Sequence, residues 1–234
     1  MKRSSCLTPG WLHRIPFPDR LRIEAGSPAP GQPGPFPTAG RPVVEGLQRL
    51  HDGCDACRRC GLGATRQQVV VSRGNPTARL MVIGEGPGAQ EDASGFPFVG
   101  RAGKLLDQML ASVLIDTNRD AYICNVVKCR PPENRKPTAQ EMAACLPWLL
   151  EQVELVQPEL ILLVGATAVE GVLGIKGGIT RLRGQWQQWQ GRWCLPIFHP
   201  SFLLRNPSRD SGSPKWHTWQ DLKEVKRRLD QPEG

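Results

Sequence analysis

The chain carries four short apolar segments, each bounded by glycine, proline or polar residues. Segments of this length and setting are typical of strands that are buried on both faces. They are LMVIGE (80–85), AYICNVV (121–127), ELILLVG (159–165) and WCLPIFH (193–199). The pattern predicts four strands of one sheet.

Helical patterns lie between these segments. Apolar side chains within 102–113 recur at three- and four-residue spacing, which predicts an amphipathic helix. Thr138 and Glu141 have the spacing of a capping box, which indicates the start of a second helix. Residues 166–173 and 218–230 are two further helical candidates.

Strands and helices alternate along the chain, and this order favours a parallel sheet with helices on both faces. We predict an α/β fold, a three-layer α/β/α sandwich around a central four-stranded parallel sheet. In such folds the reactive groups gather beyond the carboxyl ends of the strands. That rule directs attention to residues 84–101, 125–136, 165–167 and 199–209.

The N-terminal part differs in composition from the rest. The segment GSPAPGQPGPFPTAGRP (26–42) contains ten glycine or proline residues among seventeen. Such a segment buries little apolar surface, so we expect residues 1–45 to form a disordered arm. Residues 46–234 are then one folded domain, a size at which a single α/β core is stable.

Charge and cysteine content narrow the partner and the compartment. The net charge of +8 suits a polyanion such as nucleic acid, although a solvated basic surface has the same composition. No apolar run has the length of a signal-peptide core or a membrane helix, so we expect a soluble, cytoplasmic protein without membrane contact. In that reducing compartment, clustered cysteines bind metal or act chemically more often than they form disulfides.

Five of the eight cysteines have positions that suit a metal site: Cys54, Cys57, Cys60, Cys129 and Cys145. A Cys-x-x-Cys pair bends so that both thiolates reach one metal, and two distant cysteines complete a four-thiolate site. Zinc and an iron–sulfur cluster both suit four thiolates, and a set of inert buried cysteines is the structural alternative. The spacing leaves open the metal and which of Cys54 and Cys57 pairs with Cys60.

Pro147 lies inside the helix that begins after Thr138. A proline at that depth predicts a break or kink near residues 143–146, or the first turn of a new helix. Either outcome would place freed backbone N–H groups beside Cys145, where they would stabilise a thiolate.

Three long motifs follow the predicted strands in order. They are GEGPGAQEDASGFPFVGRAGKLL (84–106), NVVKCRPPENRKP (125–137) and HPSFLLRNPSR (199–209). Together with the cysteines, these motifs resemble the family 4 uracil-DNA glycosylases, which are the iron–sulfur branch of the uracil-DNA glycosylase superfamily. The resemblance covers roughly residues 50–230. The resemblance implies a [4Fe–4S] cluster held by Cys57, Cys60, Cys129 and Cys145. Cys54 is then an additional thiol.

The implied reaction is hydrolysis of the bond between uracil and deoxyribose in single- or double-stranded DNA. The resemblance gives each step a residue. Backbone N–H groups of Glu85 and Gly86 approach the base, and Phe98 stacks on it. Asn125 pairs with the N3–O4 edge, and His199 donates to O2 as negative charge develops. A tight turn, a core aromatic, a strand-end amide and a structural histidine are the alternatives.

Water activation has no obvious residue. Relatives in the best-known branch carry an aspartate where this chain has Gly86, so catalysis must depend on leaving-group stabilisation together with Asn134 or Glu85. Glu91 is the candidate for excluding the C5-methyl group of thymine.

DNA contacts are expected on two segments. In FLLR, Leu203 or Leu204 would fill the space left by the flipped base and Arg205 would contact phosphate, with one leucine expected in the core. The segment after the second strand adds three cations, Arg130, Arg135 and Lys136.

Two other functions compete with this hypothesis. One is a sister-branch glycosylase, either for other deaminated bases or of the branch that becomes covalently linked to DNA and carries a His-bearing insertion before the last strand. Residues 175–186 read IKGGITRLRGQW and contain no histidine, which disfavours that branch. The other is a cluster-bearing DNA-binding module without catalysis, which the intact GEGPG and HPSFLLR motifs disfavour. We expect the protein to act as a monomer.

Overall fold

A computed structural model of the chain describes residues 41–231. The strands are β1 Ser72–Gly74, β2 Leu80–Gly84, β3 Ala121–Asn125, β4 Leu160–Val164, β5 Gln187–Trp189 and β6 Arg192–Ile197. The helices are α1 Arg41–Asp55, α2 Ala89–Ser94, α3 Arg101–Ala111, α4 Ala139–Val156, α5 Ala166–Leu173, α6 Ile179–Leu182, α7 Pro200–Arg205 and α8 Pro214–Asp230. Two 3₁₀ turns cover Gly61–Ala64 and Pro132–Asn134.

The four predicted strands form the parallel centre of a six-stranded sheet with the order β1-β3-β2-β4-β6-β5. Every residue of β2, β3 and β4 is buried, which explains why these segments are continuously apolar rather than alternating. The edge strands β1 and β5 are antiparallel to their neighbours and were not predicted. Each has three residues, SRG and QQW, and so lacks an apolar run.

Helices cover both faces of the sheet, as the three-layer prediction requires. On one face α3, α7 and α8 pack together over β2, β4 and β6, through side chains such as Leu106, Leu203 and Leu222. On the other face α4 and α5 cover the sheet through Leu149 and Val169. Helix α1 lies outside α4. The two buried clusters confirm the α/β/α sandwich.

Helix α4 begins where the capping box predicted. Thr138 Oγ1 accepts a hydrogen bond from the Glu141 backbone N–H at 3.2 Å, and Glu141 Oε2 accepts one from the Thr138 N–H at 2.7 Å. Two backbone donors of the first turn are thereby satisfied.

The predicted interruption of this helix at Pro147 is wrong, because α4 runs unbroken through that residue. The ring removes only the N–H that would donate to the carbonyl of Ala143, and core packing on both sides holds the helix together. The donor to the Cys145 sulfur therefore comes from another segment. It is the backbone N–H of Lys128, at 3.3 Å.

The N-terminal boundary falls earlier than the expected arm implies. Helix α1 begins at Arg41, so residues 41–45 are helical, and the rest of the expected arm, residues 1–40, lies outside the described residues. Among residues 41–231, no helix combines the length and the apolar character needed to cross a bilayer.

Candidate active site and cysteine cavity

The carboxyl ends of the parallel strands meet at one edge of the sheet. There β2 ends at Gly84 and leads to Glu85, β3 ends at Asn125, and β6 leads to His199. Phe98 reaches the same edge from the loop between α2 and α3. We call Glu85, Phe98, Asn125 and His199 the strand-end site.

Gly84 gives two of these side chains their space. A Cβ atom at this position would lie 2.5 Å from Oδ1 of Asn125 and would overlap the ring of Phe98. An aromatic face and an amide with one donor and one acceptor group therefore converge above the glycine. Glycine is required at this position for the close approach of both side chains.

Phe98 has an unusual backbone conformation for a residue with a side chain. Its φ of 55° lies in the left-handed region. Arg73 holds the segment, since Nε donates to the Pro97 carbonyl at 2.8 Å and Nη2 lies 3.4 Å from the Phe98 carbonyl. Helix α3 approaches so closely that a Cβ on Gly103 would overlap that carbonyl. The ring is held in place through its own main chain.

The buried guanidinium of Arg73 also pairs with Asp107 of α3, at 2.5 Å. Burial raises the pKa of Asp107, and the attraction of Arg73 opposes that rise. Neither residue was predicted from the sequence, because 34 positions separate them and neither belongs to one of the three motifs.

His199 is oriented by the first turn of α7. Its Nδ1 accepts a hydrogen bond from the backbone N–H of Ser201 at 3.1 Å, with the Ser201 hydroxyl 2.8 Å from the same nitrogen. Because a backbone N–H can only donate, Nδ1 is unprotonated and the neutral ring carries its proton on Nε2. Burial first, and then the charge of Arg205, lowers the pKa of His199 to about 4. The ring is neutral at pH 7.

The histidine ring lies close to Phe98 and to the end of β4. The centroids of the two rings are 6.2 Å apart, and the ring planes are inclined by 30°. A Cβ on Gly165 would lie 2.9 Å from the His199 Cβ, and the φ of this glycine is +91°. Glycine is required there both for its backbone conformation and for the approach of the histidine.

Glu85 points toward the turn that follows β4. Its Oε2 accepts a hydrogen bond from the hydroxyl of Thr167 at 2.5 Å. Both residues line an open cleft of about 280 Å³, which His199 and Arg205 also border. Thr167 was not identified from the sequence, although it lies within the strand-end segment 165–167.

Glu91 acts on the main chain of the loops around it. Its two carboxylate oxygens accept hydrogen bonds from the backbone N–H groups of Gly88 at 3.1 Å, Val99 at 3.1 Å and Gly100 at 2.8 Å. The carboxylate thereby ties the GEGPG turn to the segment that follows Phe98. Its role against thymine stays a prediction.

Asn134 lies close to the GEGPG turn and is held by Arg130. The guanidinium Nε of Arg130 donates to Asn134 Oδ1 at 2.8 Å, and this oxygen is 4.0 Å from the position of a Cβ on Gly88. At Gly86, a Cβ would lie 2.6 Å from Cγ2 of Val127, so an aspartate there would displace that valine.

The other two cations of this segment already have partners. Arg135 forms a two-bond pair with Glu141, at 2.7 and 2.8 Å, and the ammonium of Lys136 lies 2.6 Å from Glu170. The hydrogen bonds from the Arg135 guanidinium are the main reason that the pKa of Glu141 is lowered to about 2. Either cation would have to exchange a carboxylate for a phosphate to bind DNA.

The two leucines of FLLR have different environments. Leu203 is fully buried in the core below the sheet edge, whereas Leu204 is 38% exposed. The assignment of Leu203 to DNA binding is therefore corrected, since the side chain cannot leave the core without opening a cavity. Leu204 and the neighbouring Arg205 are the residues that face outward.

The cysteines of the expected metal site line a single cavity. We call it the cysteine cavity, and its wall contains Cys54, Cys57, Cys60, Cys129, Cys145 and Lys128. Three of the sulfurs accept hydrogen bonds. The donors are Nη1 of Arg66 to Cys129 at 3.0 Å, the Lys128 backbone N–H to Cys145 at 3.3 Å and Nε1 of Trp148 to Cys57 at 3.4 Å.

The thiols of this cavity differ from ordinary cysteines. Burial raises the pKa of Cys54 to about 12 and that of Cys145 to about 11, and the nearby charge of Lys128 opposes both shifts. The cysteines in the described part of the chain are free of disulfides. Within the same residues, no three His, Cys, Asp or Glu side chains are arranged to hold a metal ion.

Lys128 connects the cysteine cavity to the strand-end site. Its side chain is fully buried, and its ammonium group donates to the backbone carbonyl of Asn125 at 2.6 Å. The burial of Lys128 was not predicted from the sequence, since a lysine after a strand is ordinarily a solvated residue.

Comparisons with known proteins agree with this arrangement. The sequence profile of the uracil DNA glycosylase superfamily matches residues 71–223, more than half of the chain. The chain belongs to the uracil-DNA glycosylase superfamily. The match begins just before β1 and ends in α8, so it contains the whole sheet and the whole strand-end site.

Individual relatives indicate the branch of the superfamily. The chain is 49% identical to the type-4 uracil-DNA glycosylase of Thermotoga maritima over 156 residues, which cover 66% of this chain and 81% of the relative. It is 36% identical to the type-4 enzyme of Sulfurisphaera tokodaii, over 70% of this chain and 79% of the relative. The type-5 uracil-DNA glycosylase of Pyrobaculum aerophilum is 34% identical over 58% of this chain and 67% of the relative. These values place the chain with the type-4 uracil-DNA glycosylases.

Proposed function

We propose that this protein removes uracil from DNA by hydrolysing its N-glycosidic bond and leaves an abasic site for base-excision repair. The observation that carries the proposal is the convergence of Phe98, Asn125 and a neutral His199 at one edge of the sheet. This set offers a stacking face, an amide for the base edge and a donor for a developing oxyanion.

The three side chains have separate tasks. The ring of Phe98 stacks on a uracil that has left the duplex, and the amide of Asn125 pairs with its N3–O4 edge. The Nε2–H of His199 donates to O2 as negative charge develops on the leaving base. A neutral donor is suited to this step, because it stabilises the anion without first requiring a buried imidazolium.

Water is positioned by side chains other than an aspartate at position 86. Glu85, which Thr167 orients, and Asn134, which Arg130 orients, lie near the GEGPG turn, and we assign this task to them. Most of the catalysis comes from stabilising the departing uracil anion, since an oxocarbenium-like sugar needs little help from a strong base.

Selectivity against thymine is assigned to Glu91. Its bonds to Gly88, Val99 and Gly100 fix the loop that carries the stacking aromatic, and a rigid wall is what excludes a methyl group. Replacing Glu91 with glycine should increase binding or excision of thymine, and an unchanged preference would contradict the assignment.

DNA is held at the mouth of the site by Leu204, Arg205 and Arg130. Leu204 fills the stack where the uracil was, and Arg205 meets a phosphate beside the cleft. Arg135 and Lys136 join only if phosphates replace Glu141 and Glu170 as their partners.

The cysteine cavity fits a [4Fe–4S] cluster held by Cys57, Cys60, Cys129 and Cys145. The fit rests on the donor set: four thiols line one cavity, and N–H groups donate to three of the sulfurs, as hydrogen bonds to cluster sulfurs commonly do. When bound, such a cluster supplies an anionic crosslink between residues 57–60 and the ends of the 129–145 segment, and it is capable of electron transfer. Cys54 is an extra thiol of the cavity.

The wider setting follows from the same hypothesis. We assign residues 46–234, together with the start of α1 from Arg41, to the catalytic domain, and we place it in the cytoplasm as a monomer that acts on single- or double-stranded DNA. The net charge of +8 supports a DNA partner.

The test is direct. Purified protein is incubated with single- and double-stranded oligonucleotides that contain one uracil, and abasic sites are then cleaved by alkali. We expect strand cleavage and free uracil, with His199→Ala as the matched inactive control. Uncut uracil DNA from a folded protein that contains iron would overturn the proposal and favour a DNA-binding module.

A further inference from the structure

Lys128 is a buried cation between the two sites. It is among the largest fully buried side chains of the described residues, at 1% exposure. Within residues 41–231 no carboxylate forms an ion pair with it, so its surroundings differ from those of the other buried cation, Arg73, among these residues. A buried ammonium group is stable only where anions or strong acceptors surround it.

The acceptor is a main-chain group of the strand-end site. Asn125 lies one residue beyond the last pair that β3 forms with β1, Ser72 with Cys124. Its carbonyl therefore lies beside the end of β1, and the ammonium of Lys128 supplies its donor at 2.6 Å. A buried carbonyl at a strand end would otherwise lack a partner.

The sulfurs of the cysteine cavity lie next to the same lysine, and they are anions only as ligands of a bound cluster. Lys128 lines the cysteine cavity, and its own backbone N–H donates to the sulfur of Cys145 at 3.3 Å. The same residue thus touches a proposed cluster ligand through its main chain and the uracil-reading residue through its side chain.

We infer that Lys128 is a positioning residue that links the cysteine cavity to base recognition: cluster-bound thiolates would offset the buried charge of its ammonium group, and that group holds the main chain of Asn125. The inference rests on the proposed function, because it assigns base reading to Asn125. It adds a role for the cavity in recognition of uracil through one buried side chain.

Two variants separate the hydrogen bond from the charge. Lys128→Met keeps most of the length of the side chain and removes both the hydrogen bond and the charge. Lys128→Gln removes the charge and keeps a donor for the Asn125 carbonyl. Base recognition is measured as the ratio of the Kd for undamaged duplex to the Kd for a duplex with 2′-fluoro-deoxyuridine, whose glycosidic bond resists hydrolysis. Iron per chain and visible absorbance measure the cysteine cavity separately.

We expect Lys128→Met to lower the recognition ratio about tenfold, the usual effect of leaving a buried carbonyl without its donor. Affinity for undamaged duplex should change less than about twofold, because no phosphate contact is lost. Lys128→Gln should retain most of the recognition ratio and lose iron more readily than the parent protein.

A double-mutant cycle with Asn125→Ala tests whether the lysine acts through the asparagine. If it does, adding Lys128→Met to Asn125→Ala lowers the ratio no further, whereas independent effects would multiply. A ratio unchanged by Lys128→Met, or an equal loss in both backgrounds, would overturn the inference. If the Met variant does not fold, the Lys128→Gln variant decides. A Gln variant that keeps its full iron content but loses the recognition ratio would also overturn the inference.

The outcome also separates this inference from the proposed function. A parent protein with no preference for the uracil analogue, and no effect of Asn125→Ala, would refute the function itself. A clear preference that depends on Asn125 but not on Lys128 would refute the inference alone.

Discussion

The backbone N–H of Ser201 donates to Nδ1 of His199 at 3.1 Å, and this bond determines which ring nitrogen carries the proton. The Nε2–H that remains is the donor available to a substrate. Since the bond comes from the main chain, it does not depend on the side chain of residue 201.

This relationship separates two variants. His199→Ala should lower the single-turnover rate of uracil excision about 10²–10³-fold, the usual effect of losing one donor to a developing oxyanion. Ser201→Ala retains the backbone donor and should stay within about threefold of the parent protein, well short of that loss. A large loss in Ser201→Ala would mean that the hydroxyl, and not the N–H, sets the proton position.

The pH dependence of the fold's stability and of the His199 charge follows from the pKa of His199, which burial lowers from 6.5 to about 4. A group whose pKa is lower in the folded than in the unfolded state stabilises the fold at high pH. This contribution is lost as the pH falls, here between about 6.5 and 4. The ring should therefore remain neutral at pH 5.5, and NMR titration of its Cε1–H should give a midpoint near 4. A midpoint near 6.5 would contradict the buried, neutral donor.

Substitutions in the Arg73–Asp107 pair should affect the stability of the fold and the excision activity separately. Arg73→Leu removes the cation of Asp107, whose side chain is 23% exposed, and should cost less than the roughly 3–5 kcal/mol in the free energy of unfolding that a fully buried pair loses. Replacing both residues by leucine should recover most of that loss in chemical denaturation. Excision should stay low in the double variant, since the Pro97 carbonyl has lost its donor and Phe98 its support. Recovery of both properties would show that the pair serves stability alone.

Leu203 and Leu204 are adjacent, but we expect their substitution to affect different properties, stability for Leu203 and excision for Leu204. Leu203→Ala removes a fully buried side chain and should cost about 2–5 kcal/mol in the free energy of unfolding. Leu204→Ala should leave that free energy within about 0.5 kcal/mol. It should slow excision from duplex more than from single strands, since only a duplex needs its stack filled. Equal losses on the two substrates would contradict the wedge.

Cys54 and Cys57 form a matched pair for the cluster. Both line the cysteine cavity, but only Cys57 is assigned as a ligand. Cys57→Ser should lower iron per chain and visible absorbance, whereas Cys54→Ser should retain both. The reverse result would move the ligand assignment to Cys54 and leave Cys57 as the extra thiol.

Local patterns sufficed for much of the fold. The apolar runs predicted the four parallel strands, and the Thr138–Glu141 spacing predicted the start of α4, because burial and capping leave their mark on neighbouring residues. The strand-end rule then directed attention to the edge where Asn125 and His199 lie. Short polar strands such as β1 left no such mark.

The sequence by itself determined the four parallel strands of the sheet, the motifs at its edge and the cysteines that suit a cluster. The tertiary structure alone decided which of these groups meet and what supports them. Arg73 with Asp107, and Thr167 with Glu85, are 34 and 82 residues apart, and Lys128 is buried although lysine favours solvent. Pro147 likewise stays within an unbroken helix. Local propensity cannot predict such outcomes, because packing between distant segments determines which polar groups lose water and must find partners.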